Sequence, residues 1–333
     1  MRALTSCIRK SQVAHAFMFS GPKGSGKSTA ARAFASALNC LDRTPEGDGC
    51  GVCLSCMRIE AGGDPDVTSI RPDGNQTKIE QMQDMIKSMT YGPISGKYKV
   101  YIIEQADTLN ASSENCILKI LEEPPAFAVL ILLAQNPNSL LQTIRSRCRM
   151  VRFRRAGTQE IEEALTVRFS LRDEQLRVVA ACSQGAIGRA IGIASDPGFM
   201  EDRQVVLEAL RDWSNGPPVL GLQTAELLRA FATPPKPTKE NPNPPTLVAN
   251  LMVVMDHILS WFSDMLEIKV VGETAVITNM DYRDDVMARS KKYSLPRLCE
   301  GVKSVLDTRR YIEGNITPQL ALENLFFDLQ PDL

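Results

Sequence analysis

The sequence predicts an α/β domain built on a mostly parallel sheet, followed by a small α module and a larger all-α region. Three observations carry this. Apolar runs at His15–Ser20, Lys99–Ile103 and Ala128–Ala134 alternate with helical patterns. Short buried strands alternating with helices imply a parallel sheet covered on both faces. A Gly-rich turn, Gly21-Pro-Lys-Gly-Ser-Gly-Lys-Ser28, sits between the first run and a helix. From Thr158 onward no convincing strand follows. At 333 residues, with 44% hydrophobic and 23% charged residues, the chain is long enough for two or three domains with a sizeable core.

Met1–Lys10 reads as a helical lead-in and His15–Ser20 as the first strand. The turn after it matches Gly-x-x-x-x-Gly-Lys-Ser in the strand, loop and helix order that a Walker A motif requires. Glycines let backbone N–H groups crowd around phosphate oxygens, and the helix N-terminus adds partial positive charge. Gly21, Gly24, Ser25, Gly26, Lys27, Ser28 and Thr29 are therefore the expected nucleotide cradle. Lys27 would reach the β- and γ-phosphates and Ser28 would ligate Mg²⁺. The helix Thr29–Asn39 buries Ala30, Phe34 and Leu38 on one face.

Cys40-x9-Cys50-x2-Cys53-x2-Cys56 follows, without periodicity. Thiolates two residues apart grip one ion from a tight turn, and four sulfurs without histidine suit a closed, structural Zn²⁺. Buried free cysteines and a redox pair are the alternatives. Nine cysteines in total, with no charged-then-apolar leader and no apolar run near the roughly 20 residues of a membrane span, favour thiolates and metal over disulfides. The expected compartment is the cytosol, with no membrane partner.

Val67–Ile70 is a strand candidate, and 71–76 a polar loop. Thr77-Lys78-Ile79-Glu80 fits a capping box, and Ile79, Met82, Ile86 and Met89 form a helical stripe that reads as core. The strand Lys99–Ile103 ends in Glu104-Gln105-Ala106-Asp107, where a P-loop ATPase places the acids that hold Mg²⁺ and polarise water. Glu104 can sit near the metal, whereas Gln105 orients a water but cannot take its proton. Binding should survive better than hydrolysis. A helix over Ser112–Glu123 stops at Pro124-Pro125. Ala128–Ala134 and Met150–Arg154 are the last strands, closing the first domain near Arg154.

Arg145, Arg147, Arg149, Arg152, Arg154 and Arg155 cluster before that boundary. A solvated basic edge and nucleic-acid contact both remain open. A net charge of −1 argues against the whole chain being a polyanion binder. Beyond it, Glu160–Phe169, Asp173–Cys182 and Ala186–Ala194 read as short helices. Thr233–Pro245 holds six prolines and reads as a stiffened loop. Leu247–Ile268, Leu295–Ile312 and Pro318–Asp328 read as helices. His15 and His257 lack partners at motif spacing and read as packing residues.

The succession of the Walker A turn, four cysteines, Lys99-Val-Tyr-Ile-Ile-Glu-Gln-Ala-Asp107, Leu118-Lys-Ile-Leu-Glu-Glu-Pro-Pro125 and Arg145-Ser-Arg-Cys-Arg149 resembles the bacterial clamp-loader AAA+ family. Its gamma/tau and delta-prime branches belong to DNA polymerase III. Asn315–Leu325 resembles the last helix of that family's collar. The resemblance implies an AAA+ core over 1–155 with a zinc module at 40–56, a helical lid over 156–196, and a helical collar over 197–333 that assembles a five-subunit ring. Arg147 matches the arginine finger offered to a neighbour's ATP, and Gln135 stands at the sensor 1 position. Gly188 replaces the lid arginine of gamma/tau, the Walker B pair is altered, and the chain ends after the collar. The Gly-Gln box preceding the first helix is absent.

The first three of these departures favour the delta-prime branch. The implied role is donation of Arg147 in trans, with weak ATPase activity of its own, during loading of the sliding clamp onto primer-template DNA. Implied cofactors are ATP, Mg²⁺ and structural Zn²⁺, and implied partners are gamma/tau and delta subunits. The competing readings are a gamma/tau-type motor and a stand-alone AAA+ helicase loader or regulator.

Overall fold

The computed structural model describes residues 2–10, 12–73, 77–217, 219–236, 244–314 and 316–331. Residues 74–76 of the expected polar loop, 237–243 of the proline-rich stretch, and Asn315 lie outside the described residues. Contacts divide the chain into two units. The first comprises Met1–Gly157 with Gly185–Arg189, and the second Thr158–Gln184 with Ala190–Leu333. The stretch expected as a lid is thus shared between them.

The first unit runs α1 (Arg2–Arg9), β1 (Ala16–Ser20), α2 (Lys27–Asn39), α3 (Leu54–Glu60), β2 (Val67–Ile70), α4 (Ile79–Met89), β3 (Lys99–Ile103), α5 (Ala111–Glu122), β4 (Ala128–Ala134), α6 (Gln142–Arg147) and β5 (Arg149–Arg152). Its five-stranded sheet has the order β2-β3-β4-β1-β5, and every pairing is parallel. Strand alternation sends Phe17, Phe19, Val100, Ile102, Ile131 and Leu133 to one face, where they pack with Phe34 and Leu38 of α2. Met18, Tyr101, Ile103, Leu130 and Leu132 face the other way, against Met82, Met85, Met89, Ile117 and Ile144. The methionine stripe is core, as its spacing predicts. Because β1 follows β4 in the sheet while β2 and β3 lie beyond, the strand order reverses between β4 and β1. The crevice at the carboxyl ends of such strands is where open α/β sheets hold ligands.

Several local expectations shift. Helix α2 starts at Lys27, two residues before the expected Thr29, because Gly26 already serves as its N-cap. The cysteine-rich stretch, read as aperiodic, contains the short helix α3, and α6 lies within the arginine-rich stretch. Only the return half of a capping box forms, one residue later than expected. Lys78 is the N-cap of α4, and its N–H donates to Gln81 Oε1 at 3.0 Å. Thr77 is instead buried, bridged to Leu109, with its hydroxyl 3.2 Å from that of Thr108. Strand β5 covers Arg149–Arg152 rather than Met150–Arg154.

The second unit is all-α: α7 (Thr158–Thr166), α8 (Asp173–Cys182), α9 (Ile187–Ala194, whose first residues belong to the first unit), α10 (Phe199–Asn215), α11 (Leu220–Ala232), α12 (Leu247–Val271), α13 (Arg283–Ser290), α14 (Leu295–Glu313) and α15 (Pro318–Asp328). Helix α12 is its central element, with Leu251, Met255, Trp261, Phe262 and Met265 buried against the cluster that holds Trp213, Leu322 and Phe326. It runs three residues past the expected end and stops where Gly272 turns to φ 89°. A buried polar knot closes the unit. Arg203 donates to both oxygens of Asp281 at 2.6 and 2.7 Å, and Asn279 links it to Asp264. Among the described residues no helix is long and apolar enough to cross a membrane.

Candidate nucleotide and metal sites

The turn after β1 forms the wall of a cleft of about 250 Å³ at the carboxyl edge of the sheet. Gly24, Gly26, Lys27, Ser28, Thr29, Glu104, Gln105 and Gln135 line it, as expected from sequence. Gly21 and Ser25 belong to the turn without lining the cleft. Lys23, Leu133 and Gly188 also line it, beyond the residues expected from sequence. Gly26 takes φ 86°, a left-handed conformation that favours glycine, and offers no side-chain cap to α2. The first-turn N–H groups of α2 are therefore uncapped by any side chain from Gly26 and are suited to an anion. Ser25 Oγ is buried without a hydrogen-bond partner among the described residues. The turn thus fits a phosphate group.

Lys27 Nζ donates to the carbonyls of Gly21 and Pro22 at 2.7 and 2.8 Å. Burial pushes its ammonium below the ordinary lysine value, and the nearby Asp107 carboxylate works in the opposite direction. Asp107 also accepts the N–H of Gln135 at 2.9 Å, tying the end of β4 to the end of β3. In the sequence Asp107 stands out only by its place one turn past β3. Gly188 N–H donates to Gly24 O at 2.9 Å, and a Cβ at Gly188 would come within 3.3 Å of that oxygen. At the position of the lid arginine, a backbone group rests directly on the phosphate turn.

Glu104 and Gln105 follow β3. Glu104 is paired with Arg71, Nε to Oε1 at 3.3 Å. Gln105 adopts φ 51°, ψ 50°, and its carbonyl accepts from the Thr108 hydroxyl at 2.8 Å. The residue at the usual base position is thus an amide on a left-handed backbone. Arg147 is the last residue of α6. Its side chain is 36% exposed, donating to Thr143 O at 3.1 Å and to Glu122 Oε1 at 2.9 Å. The finger candidate lies at the surface of the first unit, not in its interior.

Cys40 caps the C-terminus of α2, Cys53 caps the N-terminus of α3, and Cys56 lies in the first turn of α3. With Cys50, their sulfurs all lie within 4.8 Å of one another. Cys40 and Cys53 are 3.9 Å apart, and Cys50 and Cys56 4.0 Å. A tetrahedron with Zn–S bonds of 2.3 Å has edges of about 3.8 Å, so the donor set fits one ion and leaves no open position. Burial pushes the Cys40 thiol up to about 12, whereas N–H groups of Cys56 and Leu41 draw Cys53 down to about 6.

A parallel 2-3-4-1-5 sheet with a phosphate-binding turn after β1 and an acidic strand end at β3 defines a P-loop protein of the AAA+ class, here joined to an all-α unit. Family profiles narrow this further. Residues 1–157 match the family described as DNA polymerase III, delta subunit, and residues 243–330 match DNA polymerase III, delta subunit, C terminal. The chain belongs to the clamp-loader family of DNA polymerase III subunits. It is 27% identical to the DNA polymerase III subunit delta' of Bacillus subtilis over 331 residues, 99% of this chain and 95% of that protein. It is 33% identical to the subunit tau/gamma of Haemophilus influenzae over 211 residues, 61% of this chain but 30% of that longer protein. The fold also aligns with a gamma subunit-related protein of Thermotoga maritima, 15% identical, over 98% of both chains with a TM-score of 0.49.

Proposed function

We propose that this clamp-loader subunit acts as a delta-prime-type member of the ring, offering Arg147 to the ATP site of a neighbouring subunit while turning over little nucleotide itself. The observation that carries this is an asymmetry within the first unit. The phosphate turn is complete, yet the group beside it that would take a proton from water is the amide of Gln105. Meanwhile the guanidinium of Arg147 stands at the surface on the last turn of α6. An arginine supplied in trans stabilises charge on a transferring phosphoryl group without needing a base of its own.

In this reading the cleft holds ATP with Mg²⁺ near Ser28 and Glu104, and the four cysteines hold a structural Zn²⁺. The partners are gamma/tau and delta subunits in a pentameric ring, the sliding clamp and primer-template DNA, in the cytoplasm. The likeness to tau/gamma proteins raises the alternative of an active motor, which Gln105 and the glycine at 188 oppose. A stand-alone helicase loader would form no stable complex with gamma/tau and delta.

The test is a reconstituted complex carrying Arg147→Ala. Assembly should be unchanged and ATP turnover by the complex should fall by at least about tenfold at the site that loses its finger. Unchanged turnover refutes the assignment. Rapid hydrolysis by the isolated chain would instead support the motor.

A further inference from the structure

The four sulfurs of the cysteine module draw their hydrogen bonds from different sources. Cys40 accepts from the N–H of Cys50 at 3.3 Å, and Cys50 from the N–H of Cys53 at 3.3 Å. Those donors are both main-chain groups of the module itself. Cys56 is served differently: the hydroxyl of Ser36, on α2 and outside the module, lies 3.1 Å from its sulfur. Ser36 and Cys40 are one helical turn apart on the same face of α2. One face of the helix that begins at the phosphate turn therefore supplies both a ligand and a donor to another ligand.

The approach is close enough to dictate a neighbour. A Cβ at Gly49 would fall 2.7 Å from Ser36 Oγ and 3.3 Å from Cys56 Sγ. The glycine is needed here to leave room for the hydroxyl. Four thiolates around one Zn²⁺ carry a net charge of −2, and each hydrogen bond to sulfur spreads part of it. A metal-bound thiolate has no proton to donate, so the Ser36 hydroxyl must be the donor.

We propose that Ser36 is a positioning residue of the metal site: its O–H···S bond to Cys56 orients that thiolate and clamps the module to the P-loop helix. The inference rests on the reading of the four cysteines as a zinc site. Zinc retention by the full chain, measured by competition with a chromophoric chelator, should weaken by about 10–100-fold in Ser36→Ala. In the Co²⁺-substituted protein, the thiolate-to-cobalt charge-transfer band should move to lower energy, because the sulfur that lost its donor becomes more electron-rich. Ser36→Thr keeps the hydroxyl and should restore both readouts. Gly49→Ala keeps Ser36 but crowds it, and should reproduce the loss. Zinc retention in Ser36→Ala within about twofold of the parent, with an unchanged cobalt spectrum, overturns the proposal. A loss that Ser36→Thr does not repair marks a packing effect and overturns it as well. A parent chain that takes up neither metal removes the zinc reading itself, and this inference falls with it.

Discussion

Replacing Asp66 by Asn tests how the loop that leads into β3 is held against the start of β2. The buried Asp66 carboxylate, just before β2, accepts the backbone N–H groups of Ile94, Ser95 and Gly96 at 2.6, 2.7 and 2.7 Å, and the Ser95 hydroxyl at 3.2 Å. This loop leads into β3, which ends at Glu104. The side chain of Asn39, at the end of α2, fixes the same entry by accepting from the N–H groups of Lys97 and Tyr98. In Asp66→Asn the new NH₂ confronts Ile94 N–H in one orientation, or Ser95 and Gly96 N–H in the other. Leaving one buried donor unpaired costs about 1–3 kcal/mol, and loss of the charge weakens the remaining bonds, so about 2–4 kcal/mol is expected at pH 7. For a unit of this size that corresponds to a melting temperature lower by about 5–15 °C.

The pH dependence sharpens the same test. Burial opposes ionisation of Asp66, but the N–H groups of Ile94, Gly96 and Ser95 outweigh it and hold the carboxyl below its ordinary value of 3.8. A depressed folded-state pKa contributes stability that is present above the unfolded value and is lost as pH falls through the folded one. The gap between parent and variant should therefore be full at pH 7 and narrow on descending below about pH 4. Thermal or urea unfolding across that range measures it. A gap below about 0.5 kcal/mol at pH 7, or one that stays constant to the lowest pH at which both proteins fold, refutes the reasoning.

Lys27→Ala should weaken binding of a fluorescent ATP analogue by about tenfold or more, the worth of a hydrogen bond to a charged group; unchanged binding would exclude Lys27 from the phosphate site. Gln105→Gly relieves the left-handed backbone at the end of β3 and should raise stability by about 0.5–1 kcal/mol in urea titration, the strain removed less the added chain entropy. A loss of stability would show that the Gln105 side chain contributes more than its backbone costs. Chelation of metal from the full chain should speed hydrogen exchange across 40–60 while β1, β3 and β4 keep their protection. Exchange unaltered across 40–60 would mean that no ion organises that segment.

The central strands were legible because burial on both faces leaves an unbroken apolar run. Lys99–Ile103 and Ala128–Ala134 have the bounds expected from sequence. The phosphate turn was legible for a different reason, since its chemistry demands glycine and lysine at fixed spacing. Elements that lack either signal were not seen. Helix α3 has seven residues and buries only Cys56 and Ile59, too few to show a period. Gly188 reads in the sequence as a missing arginine, but its contact with Gly24 is made by backbone atoms far apart in the chain, which no local pattern encodes. The role of Asp107 is tertiary in the same sense: its partner, the N–H of Gln135, lies just past the end of β4.

The charged groups expected to meet nucleotide share one property: each is held by a partner on its own chain. Lys27 is bound by two carbonyls of its turn, Glu104 by Arg71, and Arg147 by Glu122. These holds are not equal. The Lys27 bonds lie within a partly buried loop, so a phosphate must replace both carbonyls to draw the ammonium away. The Arg147 pair is 36% and 55% exposed, and such pairs are worth about 0–1 kcal/mol. In the ring proposed above, a triphosphate on an adjoining subunit would offer Arg147 a bidentate, charge-assisted contact, stronger than one to a solvated carboxylate. The energetic order therefore runs outward. On that proposal, giving Arg147 to another molecule's nucleotide costs this chain little, whereas engaging its own requires rearranging the turn and still leaves an amide where a base would be needed.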